Sequence, residues 1–339
     1  IIGSLSDRYG RRPVMLISLL VMALDYIVMA LAGGFWVLLV GRMIGGVAAA
    51  TQSTATAFMA DISKPEEKAA RFGMIGAAFG MGFVFGPLLG GLLAEYGTRA
   101  PFYAAAALAA TNLIFGYFVM PETLKPENRR PLTLARANPL GAFRNVSATP
   151  QLRRLLWLFF LYQVAFMVYP AIWAFFTEER FGWSPRMIGF SLGAFGIAMA
   201  LVQGGLIRLI LPWFGDHGSF LYGLSFNFFA FLVRAFLVSG TLAILFIPLT
   251  ALGAVVTPAV QGMMSRATSD NSQGELQGVL SSTAALATII SPLIMTQIFA
   301  TFARQDAAIY LPGAPFLVSM LLMLVCALVF LTGRCQQTV

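Results

Sequence analysis

Long apolar runs separated by short polar gaps make up most of the chain. Ten runs reach about 20 residues, the length that an α-helix needs to cross roughly 30 Å of hydrocarbon. Their apolar positions recur with helical spacing, without the alternating segments that a membrane β-barrel requires. The pattern therefore predicts an all-α membrane protein. The predicted spans cover residues 13–33, 35–58, 72–94, 101–120, 152–177, 185–208, 219–238, 241–262, 276–301 and 311–332.

Composition supports a membrane protein and gives it an orientation. Of the 339 residues, 58% are hydrophobic and 11% are charged, whereas soluble domains have about 25% charged residues. The net charge of +8 does not predict a nucleic-acid partner, because the basic residues lie in short gaps and not on one polar surface.

Most of the 22 lysines and arginines fall in alternate gaps, so the positive-inside rule makes those gaps cytoplasmic and predicts the cytoplasmic membrane as location. The two cysteines form no metal-binding spacing, and we expect neither a metal nor another cofactor.

An internal repeat organises the predicted helices. The stretch "MADISKPEEKAARFG" begins at Met59, and the similar "MSRATSDNSQGELQG" begins at Met264, a shift of 205 residues. Pro87 and Pro292 keep this shift, as do the dipeptides at 9–10 and 214–215. The fifth and sixth runs have no counterpart in the first half. We therefore predict a repeat of six helices whose first copy lacks its first two helices in this chain.

This repeat predicts two bundles within a protein of twelve helices, ten of them visible. Residues 1–120 would form the N-terminal bundle with helices 3–6, and residues 152–339 the C-terminal bundle with helices 7–12. The segment 121–151 is rich in proline, arginine and polar residues, which is typical of a cytoplasmic linker. Ile1, Ile2 and Gly3 would then end the second helix of the complete repeat.

Several motifs resemble those of a known family. The stretch "GSLSDRYGRR" resembles the loop signature of the major facilitator superfamily, and "GxxxGPxxGG" from Gly82 resembles the fifth-helix signature of its drug-exporting antiporters. The stretches "LDY" at 24–26, "ERFGWS" at 179–184 and "PAVQGMMSR" from Pro258 resemble the tetracycline/proton antiporters, in order along the chain. The resemblance implies the major facilitator fold with two six-helix bundles, and proton-coupled efflux of a small amphipathic drug by alternating access. We expect a monomer.

The charged stretch "SDRYGRRP" is the candidate cytoplasmic gate. Asp7 and Arg11 lie four residues apart at a helix entry, and Pro13 suits the first turn of the helix that follows. Two interpretations stay open: a solvated loop, or a charge pair that forms in one transport state and breaks in the other. The candidate gate residues are Gly3, Asp7, Arg8, Gly10, Arg11 and Arg12.

A glycine stripe marks the predicted helix 72–94. Glycines that recur every four residues allow close contact with a neighbouring helix, and a proline in the same helix permits a local bend. A static tight crossing and a moving hinge are both open, and either would place this helix at a bundle interface. The motif residues are Gly82, Gly86, Pro87, Gly90 and Gly91.

Three charged residues lie inside apolar runs. Asp25 lies about 18 Å into its helix, which leaves roughly 12 Å to the far side of the membrane, and Arg42 lies about 10 Å from that same side in the next helix, so the two reach similar depths. Burying either one alone costs on the order of 3 kcal/mol, so we expect them to pair or to share a polar cavity. The pair could be structural, or it could carry the proton coupling. Arg234 lies about 8 Å from the end of its run, and we expect it to extend to the membrane surface.

Polar and aromatic residues within the other runs are candidates for a substrate cavity. Each alone is more typical of helix packing, but together they suggest a cavity between the bundles. The candidates are Gln52, Thr56, Gln163, Tyr169, Trp173, Gln203, Thr257 and Gln261.

The chain departs from the tetracycline antiporters at two positions. Met199 stands where the resemblance places a histidine, and Asn227 stands where it places an aspartate. Neither side chain titrates in the useful range. We therefore expect fewer coupled protons, which depend on Asp25 or on one acid of the missing first helix, and weak or absent tetracycline transport. Two alternatives remain: an exporter of another metabolite on the same fold, and a non-transporting membrane receptor or scaffold. The absence of paired acids, metal ligands and a nucleophile with its base argues against an enzyme.

Overall fold

The structure is a computed structural model, and all regular secondary structure among its described residues is helical. The described residues are 6, 8–48, 51–63, 68–124, 149–268, 273–304, 306–307 and 309–332. The helices of the first part are α1 (Arg11–Leu31), α2 (Phe35–Ala48), α3 (Thr51–Ile62), α4 (Lys68–Ala94) and α5 (Ala100–Val119). Those of the second part are α6 (Pro150–Phe166), α7 (Val168–Phe181), α8 (Pro185–Leu201), α9 (Ile207–Phe236), α10 (Gly240–Leu245), α11 (Ile247–Ala251), α12 (Val256–Arg266), α13 (Gln273–Phe302) and α14 (Ala314–Thr332).

Local sequence signals explain where several helices begin and end. Thr149 and Ser184 accept hydrogen bonds from backbone N–H groups in the first turns of α6 and α8, and a proline follows each of them. Gly182, with φ of 64°, ends α7 in the left-handed conformation that favours glycine. A π-helical turn, Val202–Leu206, joins α8 to α9, and a 3₁₀ turn, Leu252–Val255, joins α11 to α12.

Both parts of the chain contain helices that are long enough to span a membrane. Within the described residues, 7 helical segments are long and apolar enough to cross a membrane. One of them, Pro185–Phe236, has 52 residues, more than twice the roughly 20 that one crossing needs. Gly215 interrupts it with non-helical backbone. The all-helical architecture is therefore confirmed, whereas the ten spans and the two missing helices stay predictions; Ile1, Ile2 and Gly3 lie outside the described residues.

The chain forms two compact units, Ile1–Asn138 and Pro139–Val339. Their boundary falls inside the predicted linker 121–151, of which residues 125–148 lie outside the described part, so the linker and the bundle limits stay predictions. In the first unit, α1 is the central helix and packs on α5, α2 and α3. In the second unit, α9 packs on α14 and α12, while α6 packs on α13 and α14.

A break between α6 and α7 sets the core of the second unit. The carbonyl groups of Val164 and Ala165, at the end of α6, accept hydrogen bonds from Ser291 on α13 (2.7 Å) and Ser319 on α14 (3.0 Å). These side chains satisfy acceptors that the helix leaves free at its end. After the break, α7 directs Tyr169 and Trp173 into an aromatic core.

Candidate functional site

Asp25 and Arg42 meet inside the first unit. Asp25 on α1 is 5% exposed, and its Oδ2 accepts a hydrogen bond from Nη2 of Arg42 on α2. The Arg42 side chain is half exposed, at 51%. Oδ1 of Asp25 is buried and has no hydrogen-bond partner among the described residues. The sequence-predicted pair is therefore in contact, with one carboxylate oxygen left over.

Two glycines of α2 make room for this carboxylate. A Cβ added at Gly45 would lie 2.6 Å from Oδ2 of Asp25, and one at Gly41 would lie 3.4 Å from Oδ1. Because a normal contact needs more than 3 Å, Gly45 tolerates no side chain while Asp25 keeps this position. The glycines thus let the carboxylate lie against the α2 backbone beside Arg42.

The candidate gate is organised around Arg11. Its guanidinium donates from Nε to Oδ2 of Asp61 (3.1 Å) and from Nη1 to Oγ of Ser6 (2.6 Å). Arg11 is 8% exposed, so this is a largely buried ion pair between the start of α1 and the end of α3. Gly3 and Asp7 lie outside the described residues, so the sequence-based pairing of Asp7 with Arg11 stays a prediction.

Glu122, in the segment after α5, covers the beginning of α1. Its carboxylate accepts hydrogen bonds from the backbone N–H of Arg11 (2.9 Å) and of Arg12 (3.3 Å). It also lies where a side chain on Gly10 would be, and Gly10 has φ of 105°, so two independent features favour glycine there. Glu122 therefore acts as an N-terminal cap supplied from another segment.

The remaining gate residues lie on the same helix start. Arg12 donates from Nη2 to the carbonyl oxygen of Tyr117 (2.7 Å), and its guanidinium lies 5.5 Å from the ring centre of that tyrosine. Arg8 is exposed and lies over the ring of Tyr9. Arg12 thus ties the start of α1 to the end of α5.

The second unit has an ion pair at the corresponding repeat positions. Asp216 follows Gly215 and pairs with Arg266, the last residue of α12. With the shift of 205 residues, Asp216 corresponds to Arg11 and Arg266 to Asp61. Gly215 has a positive φ of 62° like its counterpart Gly10. The pair thus recurs in both units with the signs of its charges exchanged.

The candidate cavity residues that the structure describes have different surroundings. Tyr169 and Trp173 are both buried on α7, with ring centres 6.2 Å apart. Gln203 lies on the π turn, where its amide donates to the carbonyl oxygen of Ala254 at 3.5 Å. Thr257 interacts with the buried hydroxyl of Tyr162. Gln163 and Gln261 are half-buried, and the side chains of Gln52 and Thr56 lie outside the described part.

The glycine stripe of α4 has open space beside it among the described residues. Within the described part of the chain, no atom lies within 4 Å of a Cβ added at Gly82, Gly86 or Gly90. The position of this helix at a bundle interface, as a static crossing or a moving hinge, stays a prediction. Gly91 is buried, and Pro87 lies inside α4 without ending it.

Arg234 contradicts the sequence-based prediction. It is 1% exposed and does not extend to a surface. Its Nη2 donates to Oγ1 of Thr250 (3.0 Å), and its guanidinium carbon lies 4.5 Å from the ring centre of Trp173 and 5.3 Å from that of Tyr169. Counting residues to the helix end measures depth but not direction, and this side chain points into the bundle.

Asn227 and Met199 occupy structural positions. Asn227 is fully buried, and its amide nitrogen donates to the carbonyl oxygens of Gly223 and Gly253, both at 2.9 Å. A carboxylate could not donate these two hydrogen bonds, so this position holds α9 to the 3₁₀ turn. Met199 packs against a small apolar cluster that includes Phe195 and Val202.

The sequence analysis did not predict three of these features: Asp61, Glu122 and the ion pair of Asp216 with Arg266. Asp61 and Arg266 lie inside the two repeated stretches that begin at Met59 and Met264, so aligning the repeats residue by residue would have indicated the exchange. Glu122 lies in the ordinary-looking "PET" after an apolar run, which carries no signal for a cap on another helix.

The chain combines long apolar helices in two units, ion pairs at repeat-related positions and buried charges within candidate spans. These features define a polytopic membrane protein of the transporter type. Residues 1–252 match the sequence model of the Major Facilitator Superfamily. The chain therefore belongs to this family. The resemblance inferred from its motifs is thereby confirmed.

Relatives extend the likeness over nearly the whole chain. It is 40% identical to the class C tetracycline resistance protein of Escherichia coli over 325 residues, which cover 94% of this chain and 82% of the relative. It is 32% identical to human major facilitator superfamily domain-containing protein 10 over 88% of this chain and 69% of that protein. Tetracycline resistance proteins of other classes match as well.

Two solved structures have the same fold. The crystal structure of the human organic anion transporter MFSD10 has a TM-score of 0.68 and 31% identity, with coverage of 97% of this chain and 79% of that one. A bacterial homologue of the human lysosomal transporter Spinster has a TM-score of 0.76 at 17% identity, with coverage of 98% of this chain and 85% of that one. The second likeness concerns the fold alone.

Proposed function

We propose that the chain exports a small amphipathic drug or metabolite across the cytoplasmic membrane in exchange for protons, by alternating access. The observation that carries the proposal is the half-paired carboxylate of Asp25, which is buried within a candidate span. An ionisable group inside a membrane helix is costly and is therefore a functional candidate. The similarity to tetracycline resistance proteins supports efflux as its use.

In this proposal Asp25 is the group whose protonation differs between the transport states. A proton can bias a conformational equilibrium only if its affinity differs between the states. Arg42 stabilises the ionised carboxylate in one state, and a shift of α2 against α1 would remove that partner and favour proton uptake. Since Met199 and Asn227 do not titrate, few coupled protons and weak tetracycline transport are expected.

The pair of Arg11 and Asp61, with Glu122, is the proposed cytoplasmic gate. Such a pair must break and reform as the helices move, so it would favour one of the two states. The excess of basic residues in the alternate loops supports a cytoplasmic location for this end of the bundle, by the positive-inside rule.

Organic anions are a second substrate class. The chain is similar to human MFSD10, which the description of its crystal structure calls an organic anion transporter. This candidate keeps the transport mechanism and changes only the chemistry of the cargo.

Vesicles containing the purified chain and an imposed pH gradient test the proposal. Wild type should move at least one of tetracycline, an aromatic cation and an aromatic carboxylate, at a rate that follows the gradient. Asp25→Asn should abolish gradient-driven movement, whereas Glu178→Gln, which removes an exposed acid, should not. Full gradient-driven transport by Asp25→Asn would overturn the assigned role of Asp25, and wild-type movement that ignores the gradient would overturn proton coupling.

A further inference from the structure

Arg234 is a buried cation with no anion beside it. Among the described residues no carboxylate lies within ion-pair distance of its guanidinium, and its protein hydrogen bond goes to the neutral hydroxyl of Thr250. Nε and Nη1 are buried without a hydrogen-bond partner. Leaving a buried charge unpaired is strongly unfavourable. An anion from outside the protein would remove this penalty.

The free atoms define which anion fits. Trp173 and Tyr169 cover the guanidinium at 4.5 Å and 5.3 Å, so the ligand must approach its edge. N–H groups along the edge of a guanidinium form a fork that matches the two oxygens of a carboxylate. The buried hydroxyl of Tyr169 lies beside the same guanidinium, and a hydroxyl oxygen that accepts from arginine keeps its O–H as a third donor.

Aromatic rings surround these donors. The Tyr169 ring lies 5.4 Å from that of Phe231, 5.6 Å from that of Phe195 and 5.8 Å from that of Phe316, measured between ring centres. Such rings favour offset or edge-to-face contact with another planar ring. The surroundings of Arg234 therefore suit an anionic group carried on a planar aromatic skeleton.

A cavity at one end of the second unit is lined by Trp183, which neighbours the Trp173 ring over Arg234. It has a volume of about 460 Å³ and is lined in part by Arg180, Trp183, Gly240 and Ile244. Trp183 lies 6.2 Å from Trp173, the ring that covers the guanidinium, so movement of these two indoles would open a path. Pockets of roughly 300–1,000 Å³ hold drug-sized ligands, and Arg180 makes this one attractive to anions.

We propose that Arg234 and Tyr169 form a recognition site for the carboxylate or sulfonate of a planar aromatic anion, reached from the cavity at Trp183. The inference deepens the proposed function by assigning a substrate class and its contact residues, and it rests on that function only for the use of the site in transport. Binding itself requires neither a proton gradient nor Asp25.

Calorimetry on the purified chain in lipid nanodiscs tests the site directly. The probes are 2-naphthoate and 2-naphthamide, which share their shape and differ in charge, in a buffer without chloride. Naphthoate should bind at least about tenfold more tightly than the amide, because charge-assisted hydrogen bonds are the strong ones. Equal affinities would overturn the proposal. Loss of the preference on adding chloride would also overturn it, because a small inorganic anion would then be the natural occupant.

Variants connect the preference to the named residues. Arg234→Gln should bind both probes alike, Arg234→Lys should keep part of the preference, and Tyr169→Phe should weaken naphthoate binding several-fold. Arg208→Gln removes an exposed charge and should bind as wild type. A preference that survives in Arg234→Gln overturns the assignment. If Arg234→Gln does not fold, Tyr169→Phe decides, and unchanged binding by that variant overturns the assignment.

A further variant separates this inference from the proposed function. Asp25→Asn should keep the naphthoate preference even if it transports nothing. Loss of the preference in Asp25→Asn would show that binding depends on the first unit, against the site proposed here. Full transport by Asp25→Asn with the preference intact would instead overturn the role proposed for Asp25 alone.

Discussion

The two units carry the same ion pair with opposite polarity, and the helix dipole makes the two versions physically different. In the first unit Arg11 lies at the start of α1 and Asp61 near the end of α3, so each charge opposes the partial charge of its helix end. In the second unit Asp216 follows the break at Gly215 and Arg266 ends α12, so each charge agrees with its helix end. The repeat keeps the two positions of the pair but exchanges the acidic and the basic residue between them.

Burial strengthens the contrast. The Arg11 side chain is 10% exposed and that of Arg266 is 62% exposed, whereas the two acids, Asp61 at 25% and Asp216 at 18%, differ little. The first-unit pair therefore has a buried arginine, is opposed by both dipoles, and is supported by Glu122 at the start of α1. A pair held by such competing terms is suited to opening and closing, whereas the second-unit pair is suited to a permanent clasp.

Reversing Arg11 should produce the largest effect. Arg11→Asp places a carboxylate against Asp61 and Glu122, and breaking a largely buried pair costs about 3 kcal/mol or more. The melting temperature in detergent should fall sharply, and transport should be lost. Adding Asp61→Arg recreates the second-unit arrangement and should restore most of the stability. Adding Glu122→Gln should restore more, because it removes the remaining repulsion; no recovery in the double variant would contradict the interpretation of the exchange.

The depth of a charged residue along its helix could be predicted from the sequence, but the direction in which its side chain points could not. Counting from the run ends predicts the meeting of Asp25 and Arg42, because two unpaired charges at similar depths on consecutive helices need a partner. The same count cannot show whether Arg234 points outwards or inwards. Its direction depends on how the aromatic rings of four helices pack around it. The cap by Glu122 depends on where the chain after α5 returns, which no local pattern records.

Adding one methyl group at Gly45 should disturb the Asp25 site. Gly45→Ala puts a Cβ within 2.6 Å of Oδ2 of Asp25, so the carboxylate must move away from Arg42. Overpacking of this kind costs roughly 1–3 kcal/mol, and gradient-driven transport should fall with it. Gly46→Ala is the matched control, since no described atom lies within 4 Å of that position. Equal behaviour of the two variants would contradict the close approach of the carboxylate to α2.

Removing the cap on α1 should have a moderate effect. Glu122→Ala deletes the acceptor for the N–H groups of Arg11 and Arg12, and loss of a helix cap costs about 1–2 kcal/mol. Glu122→Gln keeps an acceptor oxygen but loses the charge, so its melting temperature should lie between those of wild type and the alanine variant. A glutamine variant as unstable as the alanine variant would assign the whole effect to charge.

The smallest effect is expected from Asp216→Asn, and its salt dependence sharpens the comparison of the two units. This substitution removes a favourable dipole interaction and an ion pair whose arginine is exposed, each typically worth less than about 1 kcal/mol. Screening by salt weakens interactions between exposed charges and leaves buried pairs largely unaffected. Melting temperatures of Asp216→Asn and Asp61→Asn should therefore be compared with wild type at low salt and near 1 M salt. The small deficit of Asp216→Asn should nearly vanish at high salt, whereas the larger deficit of Asp61→Asn should remain, because Arg11 is buried and loses the carboxylate that it contacts. Equal salt sensitivity of the two deficits would show that burial does not distinguish the pairs, and the division into an opening pair and a permanent clasp would then fail.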